Sequence, residues 1–315
     1  MNIKTAPTRL SERLEENSDH NTDKRLQSLE SSIQSNQPLR QVEYTPDGHL
    51  GLGFKMWLEM VMELVETREL TWQLFLRDFS ARYRQSALGL VWAILPVLVT
   101  TATFSYLSRA NVLPIKTDIP YPVFLLVGMS VWQLFASGLA NATQSLVSAA
   151  ALITKINFPR ETLILAAFGQ AIFEFMIRSI LLVAGFAIFH VMPHWTALLI
   201  PLAIIPLCLF TIGLGLIFGL INGVLRDAGQ IVTFLLTFWM FLTPVVYPAK
   251  TVGAMALLNV INPVSPFVIA AQDLTFKGYL TQPLNYAIGS GVSVLIFLIS
   301  WRIFHLAEMR IAERV

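Results

Sequence analysis

Six stretches of the chain are almost unbroken runs of apolar residues: Gly89–Leu107, Pro122–Ser145, Leu163–Phe189, Ala197–Ile221, Ile231–Val246 and Tyr286–Phe304. A helix that crosses a bilayer needs about 20 mostly apolar residues, so each stretch predicts a spanning helix. The fifth is short, and Pro201 and Pro206 soften the start of the fourth. A seventh apolar stretch, Ala254–Ala271, is interrupted by Asn262-Pro263 and Ser265-Pro266. Prolines that close together would leave backbone groups unsatisfied in lipid. This stretch therefore predicts two short helices that dip back from the outer face between spans five and six.

Ahead of the first span the period changes. Trp72, Phe75, Leu76, Phe79 and Tyr83 recur at helical spacing, while Gln73, Arg77, Asp78 and Arg84 occupy the rest of the turn. Such a helix lies in the headgroup layer with its aromatic side toward the acyl chains. Phe54, Trp57, Met60, Val61 and Leu64 repeat the pattern and predict a second interfacial helix over Phe54–Val65.

Composition agrees: 55% of the residues are hydrophobic and 13% charged, with a mean hydropathy of +0.61, where soluble domains carry roughly 25% charged residues. Residues 1–48 hold six Lys/Arg and eight Asp/Glu and are rich in Ser, Asn and Gln, which predicts a disordered cytoplasmic arm rather than a signal peptide. The domain reading is thus an arm (1–48), interfacial amphipathic helices (49–88), a six-span transmembrane domain (89–306) and a cytoplasmic tail (307–315). The fold class is all-α integral membrane.

Orientation follows from the basic residues near the spans. With both termini inside, Arg77, Arg82, Arg84, Lys155, Arg160, Arg226, Arg302, Arg310 and Arg314 are cytoplasmic, and Arg109, Lys116, Lys250 and Lys277 face outward. Nine against four supports a multi-pass protein with cytoplasmic termini.

Chemistry is sparse. A net charge of +2 and the lack of a basic, aromatic-interleaved stripe argue against a nucleic-acid partner. Cys208 is the single cysteine, and the five histidines lack metal-site spacing, so neither a disulfide framework nor a metal centre is expected. No catalytic constellation and no Gly-rich phosphate loop of the G-x-x-x-x-G-K-[ST] type occurs, so if the chain is a transporter it is driven by an ion gradient or by a separate ATPase subunit. Glu174 and Arg178 sit four residues apart on the third span, where they can pair on one helix face. Either they neutralise each other in the bundle or they form a substrate or proton site. Gly215, Gly219 and Gly223, with Gly213 nearby, let helices approach closely on the fourth span. Two short charged loops remain, Lys155–Glu161 and Asn222–Asp227, tied directly to spans.

The segment Trp72–Trp92 resembles the start of type-2 ABC permeases that export polysaccharides such as O-antigen, capsule and teichoic acid. The likeness continues through Tyr121–Gly128, Trp132, Phe158-Pro-Arg-Glu161, Arg226-Asp227, Thr243–Pro248 and Asn262–Pro266, in that order, over about residues 70–305. The arm is not covered by it. The resemblance implies a homodimer in the bacterial inner membrane, each subunit paired with one ATP-binding subunit. Two copies of that subunit would bind ATP and Mg, leaving no cofactor in this chain and no enzymatic activity of its own. Lys155, Ile156, Asn157, Phe158, Pro159, Arg160 and Glu161, with Arg226 and Asp227, would couple to the ATPase. The two outer short helices would close the periplasmic end.

A lipid-linked polysaccharide carries phosphate near the inner headgroups. Arg77, Arg82 and Arg84 could receive it, with Asp78, Tyr83 and Gln85 on the same segment, although membrane anchoring alone explains the arginines. Trp132, Phe135, Phe168, Phe173 and Trp239, with Glu174 and Arg178, could line the path, although aromatics in spans also face lipid or pack in the bundle. Two alternatives stand beside this reading. One is a type-2 permease for a drug or small lipid. The other is a membrane-embedded polyprenyl-sugar transferase, for which Asp227 and Glu161 are too isolated.

Overall fold

The computed structural model describes residues 54–312 except 85, 87, 113, 114, 116, 156, 157 and 250–252. The arm, Gln85, Ile156 and Asn157 lie outside the described residues. Among the described residues every regular element is helical. The principal helices are α1 (Phe54–Glu66), α2 (Arg68–Tyr83), α3 (Val91–Arg109), α4 (Tyr121–Ser148), α5 (Glu161–Ile188), α6 (Ile205–Val224), α7 (Ala228–Leu242), α8 (Ala254–Ile261), α9 (Ser265–Phe276) and α10 (Pro283–Ala312).

Five helical segments are long and apolar enough to cross a membrane: α3, α4, α5, Trp195–Val224 and Pro283–Ala307. They occupy the predicted spans one to four and six. The stretch predicted as span five forms α7, of 15 residues, and stops earlier than expected, at Leu242. The cause is local. Thr243 precedes Pro244 and adopts φ −98°, ψ 140°, because a proline ring disfavours helical backbone in the residue before it. Val245 and Val246 then run as buried non-helical chain, with Tyr121 donating to the Val246 carbonyl at 2.7 Å. Irregular backbone of this kind is tolerated at membrane depth where protein covers it.

Proline also shapes the start of the fourth span. A 3-10 segment, Trp195–Leu199, and a single turn, Ile200–Ala203, precede α6. Pro201 and Pro206 each lie in a first turn, where the missing N–H costs nothing. The stretch 254–271 breaks at Asn262-Pro263 into α8 and α9, as two short helices.

Helix α4 is the central post. It packs against α3, α5, α6, α7 and α9, and 78% of its apolar window is buried against 17–44% for the other four spans. Its neighbours approach through small residues. A methyl on Gly215 would come within 2.6 Å of Ala142 on α4, and one on Gly213 within 2.9 Å of the Phe297 backbone on α10. Gly223 faces open space, so the three-glycine stripe is used over its first part only.

Candidate functional site

Two turns expected to meet an ATPase gather at the same end of the bundle as the end of α10. The first residue of α5, Glu161, is buried, and its Oε1 lies 3.3 Å from Nδ1 of His305 on α10. Phe158, Pro159 and Arg160 are half-buried and Lys155 is exposed. Thr162 donates to the Pro159 carbonyl at 2.7 Å and stiffens the turn into α5. The second turn is organised by Asn222, which is fully buried. It donates to the Thr143 carbonyl at 3.0 Å and to Gln144 Oε1 at 3.1 Å, and accepts from the Gly229 N–H at 2.8 Å. Arg226 and Asp227 project from that turn and are exposed. Each turn is thus held rigidly to spanning helices while its tip stays accessible.

Along α5, a second cluster joins four helices at one carboxylate. Glu174 Oε2 accepts from Arg178 at 2.6 Å. Glu174 Oε1 accepts from Arg82 at 3.0 Å and from the Tyr83 hydroxyl at 3.1 Å, both on α2. Arg178 also donates from Nε to the Ala93 carbonyl on α3, and Arg82 donates to Asn141 Oδ1 on α4, each at 3.0 Å. Glu174 and Arg178 are buried, whereas the Arg82 side chain keeps 43% of its exposure. Burial, and then the charge of Glu174, push the Tyr83 phenol above the usual tyrosine range, so Tyr83 acts there as a hydrogen-bond donor.

The aromatic side of α2 departs from the lipid-facing expectation. Phe79 meets Phe173 of α5 edge-on with ring centroids 4.7 Å apart, and Phe75 covers Gly169. Trp72 and Leu76 stay exposed. The helix is seated on α5 by half of that face because Gly169 leaves a groove for the Phe75 ring. Arg77 is committed to its neighbour Asp78 at 2.7 Å, and Arg84 is exposed.

The remaining aromatic candidates do not share one path. Trp132, Phe135 and Trp239 form a cluster with Phe210: Phe135 lies 5.5 Å from Trp132, 5.2 Å from Trp239 and 5.9 Å from Phe210, centroid to centroid. Trp132, Phe135 and Phe168 are buried as core. Phe173 belongs to the α2–α5 joint instead. Trp239 is half-buried and donates from Nε1 to Asn262 Oδ1 at 3.0 Å. Asn262 also donates to Thr243 Oγ1 at 2.8 Å and accepts from the Val264 N–H at 3.0 Å, which pins the α8–α9 break to the end of α7.

The hydrogen-bonding roles of Asn141, Asn222, Asn262 and His305 were not read from the sequence, although Asn222 and Asn262 stood in the motifs named there. Their signal was available: an amide inside or at the end of an apolar stretch is costly unless it is hydrogen-bonded. Among the described residues, no group of three His, Cys, Asp or Glu side chains converges on a metal position.

Residues 69–276 match the family model of ABC-2 type transporters. Over 267 residues the chain is 29% identical to an O-antigen export system permease protein of Myxococcus xanthus, covering 82% of this chain and 100% of the relative. An O-antigen export system permease protein of Klebsiella pneumoniae is 26% identical over 75% of this chain and 91% of its own length. A polysialic acid transport protein of Escherichia coli is 24% identical over 68% of this chain and 84% of its own length.

Proposed function

The chain belongs to the ABC-2 type transporter family, and we propose that it is the permease subunit of an ATP-driven exporter of a lipid-linked polysaccharide in the bacterial inner membrane. Two copies of the chain assemble with two copies of an ATP-binding subunit, which binds ATP and Mg. Its relatives in O-antigen and polysialic acid export support the substrate class.

The observation that carries the reading is the pair of turns at one end of the bundle. The turn Lys155–Glu161 enters α5 on a buried Glu161, and the Arg226-Asp227 turn is clamped through Asn222 to α4. A partner that grips Lys155, Ile156, Asn157, Phe158, Pro159, Arg160, Arg226 and Asp227 would therefore drag α4, α5, α6 and α10 directly. That end is cytoplasmic in this reading, as are both termini. The chain crosses six times, with α7 as the fifth crossing and α8–α9 as a re-entrant pair closing the outer end.

The path for the glycan runs between the two copies. The sparse cover of α7 supports this, since only Ala228, Val232 and Leu236 are buried on it and Thr233 and Thr237 lie on its open side. Trp239 stands at the edge of that path, with Trp132, Phe135 and Phe168 as the packed wall behind it. Arg82, Arg84 and Glu174–Arg178 meet the phosphate end of the substrate.

Deleting the gene tests the proposal. Lipid-linked glycan should accumulate on the inner leaflet, and an affinity-tagged chain should copurify with an ATP-binding subunit. A reporter fused after Val315 should be cytoplasmic. Unchanged surface glycan in the deletion strain overturns the reading.

A further inference from the structure

The cluster around Glu174 is not closed. Among the described residues, Arg178 Nη1, Asn141 Nδ2 and Gln170 Oε1 have no hydrogen-bond partner. Arg178 and Gln170 are 3% and 5% exposed, and unpaired polar atoms that deep are costly. Gln170, Glu174 and Arg178 follow one another at four-residue intervals, so they share one face of α5. Asn141 joins that face through Arg82. Among the described residues, the guanidiniums of Arg82 and Arg178 share one carboxylate, that of Glu174, and Arg82 remains 43% exposed.

The depth of the cluster is unlike the mid-membrane position that its location on α5 suggests. Arg178 bonds the carbonyl of Ala93, in the first turn of α3. From Ala93 to Arg109 the helix covers roughly 24 Å. From Asn141 back to Tyr121, α4 covers roughly 30 Å, the thickness of the hydrocarbon core. Exposed aromatic residues of the kind that mark a membrane–water boundary, Trp195 and Tyr279, follow the far ends of α5 and α9, which meet at Phe186 and Phe276. Along α3 and α4 the cluster thus lies toward the end of the bundle on which α2 packs. Arg82 is its accessible member, reached from the side on which α2 lies.

We propose that this cluster is a binding site for an anionic phosphate headgroup. The phosphate oxygens accept from Arg178 Nη1, Asn141 Nδ2 and Arg82, and a hydroxyl on the adjoining glycerol or sugar donates to Gln170 Oε1. In this geometry Glu174 competes with the phosphate for Arg82, so it holds the site closed to weak anions and releases Arg82 to a stronger one. Occupation would loosen the grip of α5 on α2 and so report the arrival of a lipid to the segment beside the turns. Two sources share the chemistry, a bulk anionic phospholipid and the phosphate of a polyprenyl carrier. The carrier arm rests on the export reading above; the phospholipid arm does not.

The test reconstitutes the purified full-length chain in nanodiscs of phosphatidylcholine carrying the same fraction of either phosphatidylglycerol or undecaprenyl phosphate. Lipid retained on gentle extraction is then counted by native mass spectrometry. The wild-type chain should retain an anionic lipid in preference to phosphatidylcholine, and the arm that is retained identifies the source. Arg82→Gln and Asn141→Leu, which leave the Glu174–Arg178 pair in place, should weaken retention roughly tenfold, the scale of one charge-assisted contact. Glu174→Gln should strengthen it, because the competing carboxylate is gone. A merely structural cluster predicts the reverse for Glu174→Gln. Retention indifferent to headgroup charge, or a Glu174→Gln variant that weakens along with Arg82→Gln, overturns the inference. Retention needs neither ATPase nor export, so its result is independent of the export phenotype.

Discussion

Glu161 and His305 are 144 positions apart in sequence, yet the Glu161 carboxylate lies 3.3 Å from the imidazole. The contact fastens the turn before α5 to the last spanning helix. Force applied to that turn reaches α10, and from α10 it passes into α6, where Gly213 lies against the Phe297 backbone.

Exchanging Glu161 and Arg160 should therefore have different consequences. Glu161→Ala removes a buried acceptor and should cost about 1–3 kcal/mol, seen as a lower thermal midpoint in detergent. Arg160→Ala alters a half-buried side chain and should lower that midpoint less than Glu161→Ala does. Both should reduce export while ATP hydrolysis by the complex continues. Full export by both variants would remove the coupling role from this turn.

The clamp at Asn222 makes a second contrast. Asn222→Leu leaves the Gly229 N–H and the Thr143 carbonyl without their partner, and should destabilise the protein by about 1–3 kcal/mol. Gly229→Ala should do less harm. Its new methyl would come within 2.8 Å of Gln144 Oε1, the end of a flexible side chain that can move, and 3.2 Å of Asn222 Oδ1. Unfolding midpoints in the same detergent measure the difference, and equal losses would mean that the turn depends on its backbone alone.

Glycines on α6 can be ranked by their surroundings. Gly215→Ala forces the new methyl to 2.6 Å from Ala142, so α4 and α6 must separate, and the yield of folded protein in membranes should fall. Gly223→Ala meets nothing within 4 Å and should be neutral or stabilise the helix by up to about 1 kcal/mol. Quantifying membrane-inserted protein and its thermal midpoint checks both. A tolerant position 215 would show that the helices do not pack this closely.

At the other end of the bundle, Asn262→Ala should release the α8–α9 break. Trp239 and the Val264 N–H lose their acceptor, and Thr243 loses a donor. A cysteine introduced at Leu257, already exposed, should then react faster with a membrane-impermeant maleimide. An unchanged rate would argue that the break is held by other contacts.

The spans were legible in the sequence because lipid demands long apolar runs with little polar interruption, and α3 to α6 and α10 all satisfied that demand. The ion pair on α5 was legible for the same reason, since two charges in such a run need each other. Its other partners were hidden. Arg82, Tyr83 and Asn141 come from elements far apart in sequence, and the carbonyl of Ala93 carries no residue-type signal at all. The end of α7 was misjudged because Val245 and Val246 are as apolar as any spanning residue, and only the proline at 244 betrays the change of backbone. The aromatic side of α2 had the right period but an ambiguous partner, since lipid and a grooved helix both accept phenylalanine.

The early stop of α7 has a mechanical consequence for the bilayer. Its 15 residues reach roughly 22 Å, about 8 Å short of an ordinary hydrocarbon core. The chain beyond Thr243 turns inward under protein cover, so it does not make up the difference on the exposed side. With α7 as the proposed fifth crossing, any part of that flank outside the path between the two copies would meet acyl chains that must shorten or tilt, drawing the leaflets together. Such a flank would be matched to a thin membrane. Lengthening the lipid tails would strain it, and such a local pinch would ease the passage of a long hydrophilic polymer.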